Sequence, residues 1–364
     1  VEVSLMYELT AEDGTNDELV RRLFQETIEQ VQLADRLGYR RVWFTEHHFL
    51  PDLSQSSAPE IMLSYLAAKT DNIRLGHGVV LLPHVINHPA RVAERIAVLD
   101  VLSGGRVDFG TGRALNPGEL EAFGVDPDES REQWLESLQA IPKMWMQNKF
   151  SADGKWLKFP ERQVVPKPVQ SPHPPIFTAA TQPSTIQMAG EMGIGALIFG
   201  GSYESAIENV DHYREAIKNA KPVGGFVNDH FGVFLQCLCA PTDEEAIAIQ
   251  GKNFKKYTGL AKNLFAPWLK GEVPKTYEYV VNTIKDMVAA LDAVTAEDIV
   301  AGGGAAIGSP ETLVTMFQRL ADAGVDEVLL FMQSFDTPHQ KILESIELIA
   351  TKVMPKVNDE ARSR

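Results

Sequence analysis

The feature that most constrains this fold is a rhythm. Short apolar, β-branched runs alternate with helix-patterned stretches along almost all of the 364-residue chain. The runs at Val3–Leu9, Arg41–Thr45, Ile73–Leu82, Arg106–Gly112, Pro175–Ala180, Ile194–Phe199, Phe231–Leu238 and Asp326–Met332 read as strands. Ile73–Leu82 is apolar almost throughout, as a strand covered on both faces must be. Asn16–Leu37 reads as a helix, with Leu19, Leu23, Ile28, Val31 and Ala34 on one face and Gly38 as its stop. Further helices are expected at Pro59–Lys69, at Ala90–Leu102 and from Pro338 to Lys352. Strands separated by helices pair in parallel, because each helix carries the chain back across the sheet. Eight such units point to an α/β fold, a (β/α)8 TIM barrel. A doubly wound sheet is the runner-up. It would more usually carry a glycine-rich turn after the first strand, whereas this strand ends in Glu8-Leu9-Thr10.

The pattern predicts one domain over residues 1–364 with three irregular stretches. Asn148–Pro175 is rich in Pro and Lys and reads as a long loop. Residues 242–305 form an insertion between the seventh and eighth strands. Its helices are expected at Thr242–Gln250, where Thr242 and Glu245 fit a capping box, at Lys252–Trp268 and at Tyr277–Leu291. An insertion of this size reads as a lid. Its Gly302-Gly303-Gly304 serves either as a hinge or as a plain loop. Residues 354–364 read as a flexible tail. Capping boxes are also expected at Ser130/Gln133 and Ser184/Gln187, and Ser309-Pro310 reads as a structural helix start.

Charge and cysteine usage narrow the class of function. The net charge of −15 argues against nucleic acid or an anionic membrane as a partner. No apolar run is long enough to span a bilayer, and no signal segment is read at the start. The two cysteines, Cys237 and Cys239, are two apart on an expected strand, a spacing at which pairs rarely bridge. They are expected as buried thiols, and the expected compartment is the cytoplasm.

Four strand ends carry candidate chemistry, and a barrel would gather them at one mouth. The second strand runs into Thr45-Glu46-His47-His48-Phe49, and the third passes His77 between Gly76 and Gly78. Histidine exchanges protons near neutral pH. The fourth strand gives Gly110-Thr111-Gly112-Arg113, where glycine admits a ligand to the backbone and a guanidinium suits a phosphate. The fifth leads through Thr181, Gln182, Pro183, Ser184 and Thr185 into a helix start, whose amides favour an anion. Together these elements indicate a phosphate site. A metal held by His47, His48, His77, His84 and His88 ranks below proton transfer by His47, because adjacent histidines on a strand point apart. Asp100 and Asp108 lack matched carboxylates for a glycosidase pair, and neither a nucleophile elbow nor a Walker loop occurs.

These residues carry a resemblance. Glu46-His47-His48-Phe49, Ile73 to Pro83, His88-Pro89, Arg91-Val92-Ala93-Glu94, Leu99 to Arg106, Gly110-Thr111-Gly112-Arg113 and Phe123-Gly124 form an ordered series. The chain resembles the bacterial luciferase-like flavin-dependent monooxygenases, closely over its first third and more loosely beyond. The resemblance implies a TIM barrel with reduced FMN at its mouth, supplied by a separate reductase. It also implies O2 addition at the flavin, oxygenation of a small organic substrate through a C4a-peroxyflavin, and His47 as acid/base. Arg113 matches the arginine that holds the FMN phosphate. Thr181, Gln182 and Thr185 fall at further phosphate contacts, with residue types that differ from luciferase itself. Glu46, Gly78 and Val79 match flavin contacts, with a cis peptide between the last two. The helices at Pro59–Lys69 and Ala90–Leu102 match a homodimer interface.

Three other functions remain open at this stage. One is an F420-dependent dehydrogenase on the same fold. The others are a non-catalytic flavin-binding protein and a metal-dependent barrel hydrolase.

Overall fold

The structure, a computed structural model, describes residues 1–199, 201–290 and 295–357. The barrel strands are β1 (Glu2–Tyr7), β2 (Arg41–Phe44), β3 (Arg74–Leu81), β4 (Val107–Gly112), β5 (Ile176–Ala180), β6 (Gly195–Phe199), β7 (Phe231–Cys239) and β8 (Glu327–Phe331). All neighbours pair in parallel, and the β6–β7 and β8–β1 pairings close the ring. The fold is the (β/α)8 barrel expected from the rhythm of the chain. Asp17–Leu37 shows how local chemistry sets each unit. Asn16 accepts hydrogen bonds from the amides of Glu18 and Leu19 at its start, and Gly38, at φ 83°, ends it in a left-handed turn.

Two layers of core result from the alternation of each strand. Outward residues pack against the helices in one large cluster. Inward residues form a second cluster of Met6, Trp43, Phe177, Leu197, Phe234, Leu329 and Phe331. β3 and β4 contribute glycines to this interior. A Cβ on Gly76 would lie 2.2 Å from Cε3 of Trp43, so only hydrogen fits beneath that indole. Below the aromatic layer, at the amino ends of the strands, Arg41 binds Glu2, Asp108 and Glu327. Asp108 is also gripped by Arg74 through Nε (2.7 Å) and an Nη (2.8 Å). Glu327 further accepts from Trp43 Nε1 at 3.0 Å. The amino-terminal face of such a barrel serves stability.

Several local expectations are corrected. The Asn148–Pro175 loop contains an antiparallel hairpin, Phe150–Asp153 with Lys158–Arg162. Its second strand is largely exposed and polar, so it carries no apolar run to betray it. Thr242–Gln250 and Lys252–Trp268 are not separate helices: Asp243–Leu264 is continuous, with a short helix Ala266–Lys270 after it. Glu245 N donates to Thr242 Oγ1, but the Glu245 carboxylate turns away to Lys341. Neither of the other two capping boxes forms. Ser130 is already helical and donates to Pro127 O, and Gln182, not Ser184, precedes the helix Pro183–Glu191. The insertion also holds the helices Glu278–Ala290 and Ala296–Ala301, and a strand at Ala306–Gly308 that adds to β7. The expected tail from 354 begins within the helical turn 354–357, where Val357 is buried. Leu291 and residues 358–364 lie outside the described residues.

Candidate active site at the barrel mouth

The carboxyl ends of β2, β3, β4 and β5 bring the expected residues to one face. β2 delivers Thr45, Glu46, His47 and His48. The carboxylate of Glu46 is fully engaged by protein. One oxygen accepts from the Leu81 amide (3.0 Å) and the other from Asn87 Nδ2 (2.7 Å), with His48 Nε2 at 3.2 Å. Leu81 pairs in register with Gly112, the residue before Arg113. A continuous set of contacts therefore ties the His47 loop to the arginine. Between them the Gly78–Val79 peptide is cis. Val79 packs towards β4, where a Cβ on Gly112 would stand 2.6 Å from Val79 Cγ2. Gly112 thus leaves the room over its strand that the Val79 side chain fills.

His47 and His48 point apart. His48 contacts Glu46 and the edge of Phe123. His47 Nδ1 lies 3.1 Å from Oε1 of Glu119, which also accepts from the His48 amide at 2.7 Å. Glu119 sits in the short helix Pro117–Ala122 with no solvent exposure. Burial alone would push His47 down. The combined pull of Glu119, Glu8 and Glu46 outweighs it and raises the imidazole from 6.5 to about 9. His47 is therefore a cation at neutral pH, partly open to solvent and able to donate a proton into the mouth. His77, by contrast, is buried beside the Arg95 charge and held down to about 3. Nδ1 of His84 contacts Gln133, and His88 caps the helix Pro89–Ser103.

Arg113 lies across the mouth, over the insertion. It donates to Ser130 Oγ (3.1 Å), to Thr276 Oγ1 (2.9 Å) and to Thr276 O (2.7 Å), and its guanidinium stacks 4.1 Å from the ring centre of Tyr277. Arg113, Arg131, Thr181, Gln182, Thr185 and Val280 line one pocket. Burial depresses the Arg113 guanidinium, and repulsion from Arg131 adds to this. Arg131 has no hydrogen bond or ion pair among the described residues. The helix Pro183–Glu191 opens on this pocket with no side-chain cap on its first amides. Two cations without a carboxylate partner among the described residues, beside the Thr185 hydroxyl, make the pocket fit a phosphate.

Sequence reading missed Glu119, Arg131, Glu8, Tyr257 and the Thr276–Tyr277 segment. Asn116-Pro117, a helix start with a carboxylate in its first turn, was the one local signal for Glu119. The others come together only through long-range contacts. Among the described residues, Glu2, His230 and Glu327 have metal-ligand types at close range, but they lie at the opposite end, where Arg41 already contacts both carboxylates.

Comparisons with known proteins agree with this fold. A family model described as luciferase-like monooxygenase matches residues 3–327. The oxygenase component of flavin-dependent trigonelline monooxygenase from Acinetobacter baylyi is 25% identical over 345 residues, 93% of this chain and 91% of that protein. The oxygenating constituent of 3,6-diketocamphane monooxygenase from Pseudomonas putida, solved with FMN, superposes with a TM-score of 0.77. It is 23% identical, covers 98% of each chain, and shows the shared fold. Coenzyme F420-dependent tetrahydromethanopterin reductase from Methanopyrus kandleri has the same fold at a TM-score of 0.70 and 20% identity, covering 98% of this chain and 99% of its own.

Proposed function

The chain belongs to the luciferase-like monooxygenase family and is a flavin-dependent monooxygenase; on that premise we propose that it takes reduced FMN from a separate reductase and transfers one oxygen atom of O2 to a small organic substrate. The observation that carries a 5′-phosphorylated flavin is the pocket where Arg113 and Arg131 meet the start of Pro183–Glu191; FMN is preferred over F420 on the likeness to a flavin-dependent monooxygenase. The pocket supports binding of the phosphate through the two guanidiniums, the amides around Thr181 and Gln182, and the Thr185 hydroxyl. Gly112 lets Val79 pack down against the neighbouring strand, which gives the adjoining floor a low profile for a flat ring. Glu46 acts by fixing Leu81 and Asn87 under that floor. Bound reduced FMN would supply the activation of dioxygen. His47, kept protonated by Glu119, donates a proton to the reacting oxygen and takes it back on turnover. The insertion helices from Asp243 to Ala301 act as a lid that excludes water. The buried thiols of Cys237 and Cys239 fit work in the cytoplasm. The exposed apolar face of the helices Pro59–Ala67 and Pro89–Ser103 supports a homodimer.

The test uses purified protein with a flavin reductase. Reduced FMN should bind under anaerobic conditions. A substrate screen read by mass spectrometry should then give products heavier by one oxygen atom, with matching oxygen uptake. His47→Ala should retain FMN and lose turnover by about 10²–10⁴-fold. Turnover that requires F420 and consumes no oxygen would overturn the proposal.

A further inference from the structure

On the side of the mouth opposite Arg113, buried oxygen atoms lack partners. Oε2 of Glu8, Oε1 of Gln236 and Oε1 of Gln333 have no hydrogen-bond partner among the described residues. All three side chains are more than nine-tenths buried. Strand alternation aims them inward. Gln236 is two residues beyond Phe234, Glu8 two beyond Met6 and Gln333 two beyond Phe331, and all three of those residues belong to the barrel interior. They come from the adjacent units β7, β8 and β1, and Gln236 pairs in register with Phe331. Buried polar atoms are otherwise satisfied almost everywhere in proteins, so a set of converging orphans marks a missing partner. Gln333 Nε2 already donates to Thr10 O at 2.8 Å, so its oxygen faces the gap; with the Glu8 carboxylate it calls for a donor, to which the unbonded Gln236 amide can turn its oxygen.

The same wall is aromatic. Phe199 stacks on Phe234 at 4.7 Å and runs nearly parallel to Tyr257, with planes 7° apart, yet it remains half exposed. Tyr257, on the insertion helix Asp243–Leu264, donates to Glu8 Oε1 at 2.9 Å and so joins the ring wall to the carboxylate. Glu8, Glu46 and Glu119 all act on His47, so carboxylates outnumber the single imidazole there.

We propose that the substrate carries a protonated amine on a flat aromatic body, with the ring against Phe199 and the ammonium held by Glu8, Gln236 and Gln333. The proposal rests on the monooxygenase reading and names the substrate class of that site. Burial raises the Glu8 carboxyl, opposed by His47 and Tyr257; an ammonium beside it holds it ionised, and the two amide oxygens supply direction. A carboxylate head would meet Glu8 and two acceptors, and is excluded by repulsion and by lost hydrogen bonds.

The test needs no turnover. Calorimetric titration of the full chain at neutral pH compares benzylammonium, benzyl alcohol and benzoate, which share one ring and differ in head group. Benzylammonium is expected to bind about tenfold more tightly than the alcohol, as a charged hydrogen bond predicts, and benzoate not measurably. Glu8→Gln should erase that preference. Gln236→Leu has no protein hydrogen bond to lose. It should keep the fold, raise the melting temperature of the free protein and weaken benzylammonium severalfold. Equal binding of the three heads, as expected if only water fills the site, would overturn the inference. So would no binding, tighter benzoate binding, or a preference that survives both substitutions. Reduced FMN is titrated into the same preparation. If FMN binds and the heads are not distinguished, this inference alone fails; if the ammonium is preferred and FMN does not bind, the cofactor reading alone fails.

Discussion

Nδ1 of His47 lies 3.1 Å from Oε1 of Glu119, a carboxylate shut away from solvent that also accepts the backbone amide of His48. One oxygen atom thus contacts both the imidazole and the backbone of its loop, and its carboxylate pulls hardest of the three that raise the histidine.

Glu119→Gln should lower the titration midpoint of His47. In the wild type, the His47 ring resonances should titrate near pH 9 by NMR. The folded value lies above the ordinary 6.5, so the protonated ring stabilises the fold fully below that pH. The contribution is lost as the pH rises through about 9. The alkaline limb of turnover, where the protonated ring is lost, should move to lower pH with the midpoint. An unchanged midpoint in the variant would show that Glu119 does not control the proton.

Arg113→Ala should weaken FMN by about 10–100-fold, the usual worth of a charged hydrogen-bonded contact. Riboflavin, which has no phosphate, should bind both proteins alike. Arg131→Ala should act in the same direction. Anaerobic fluorescence titrations with the two flavins read the difference directly, and an equal loss for riboflavin would remove the phosphate from the Arg113 pocket.

Glu327→Gln should cost stability without touching flavin affinity. Burial would raise this carboxyl, but Arg41 and His230 hold it down to about 2. Its contribution is present above the ordinary 4.5 and fades as the pH falls through about 2. Removing the charge leaves Arg41 under-compensated in the interior, with a loss of about 3–5 kcal/mol in denaturant unfolding. Weaker FMN binding in the folded variant would contradict the division of labour between the two barrel ends.

Ile61→Glu or Leu102→Asp should give monomers in sedimentation velocity. These side chains are 70% and 64% exposed on neighbouring helices, with Tyr65, Val98 and Val101 beside them. A wild-type chain that sediments as a monomer would refute the dimer.

The barrel was legible in the sequence because its strands are covered on both faces, which writes Arg74–Leu81 and Phe231–Cys239 as nearly unbroken apolar runs. Its mouth was legible where chemistry is local, as in Glu46-His47-His48 and Gly112-Arg113. The hairpin Phe150–Arg162 was not, because its residues face solvent and follow no apolar period. Ser130 and Ser184 had the spacing of caps, but the helices begin one residue or more away from where those caps would act. Glu119 and Tyr257 reach the site across 72 and 249 residues of chain, a distance over which sequence spacing carries no geometry.

The layer of Trp43, Phe177, Phe234 and Phe331 has a consequence for divergence. It insulates the charged cluster around Arg41 from the chemistry above it. Substitutions that retune the upper rim for a new substrate leave the anchoring ion pairs untouched. A scaffold partitioned in this way can explore specificity while keeping its foundation constant.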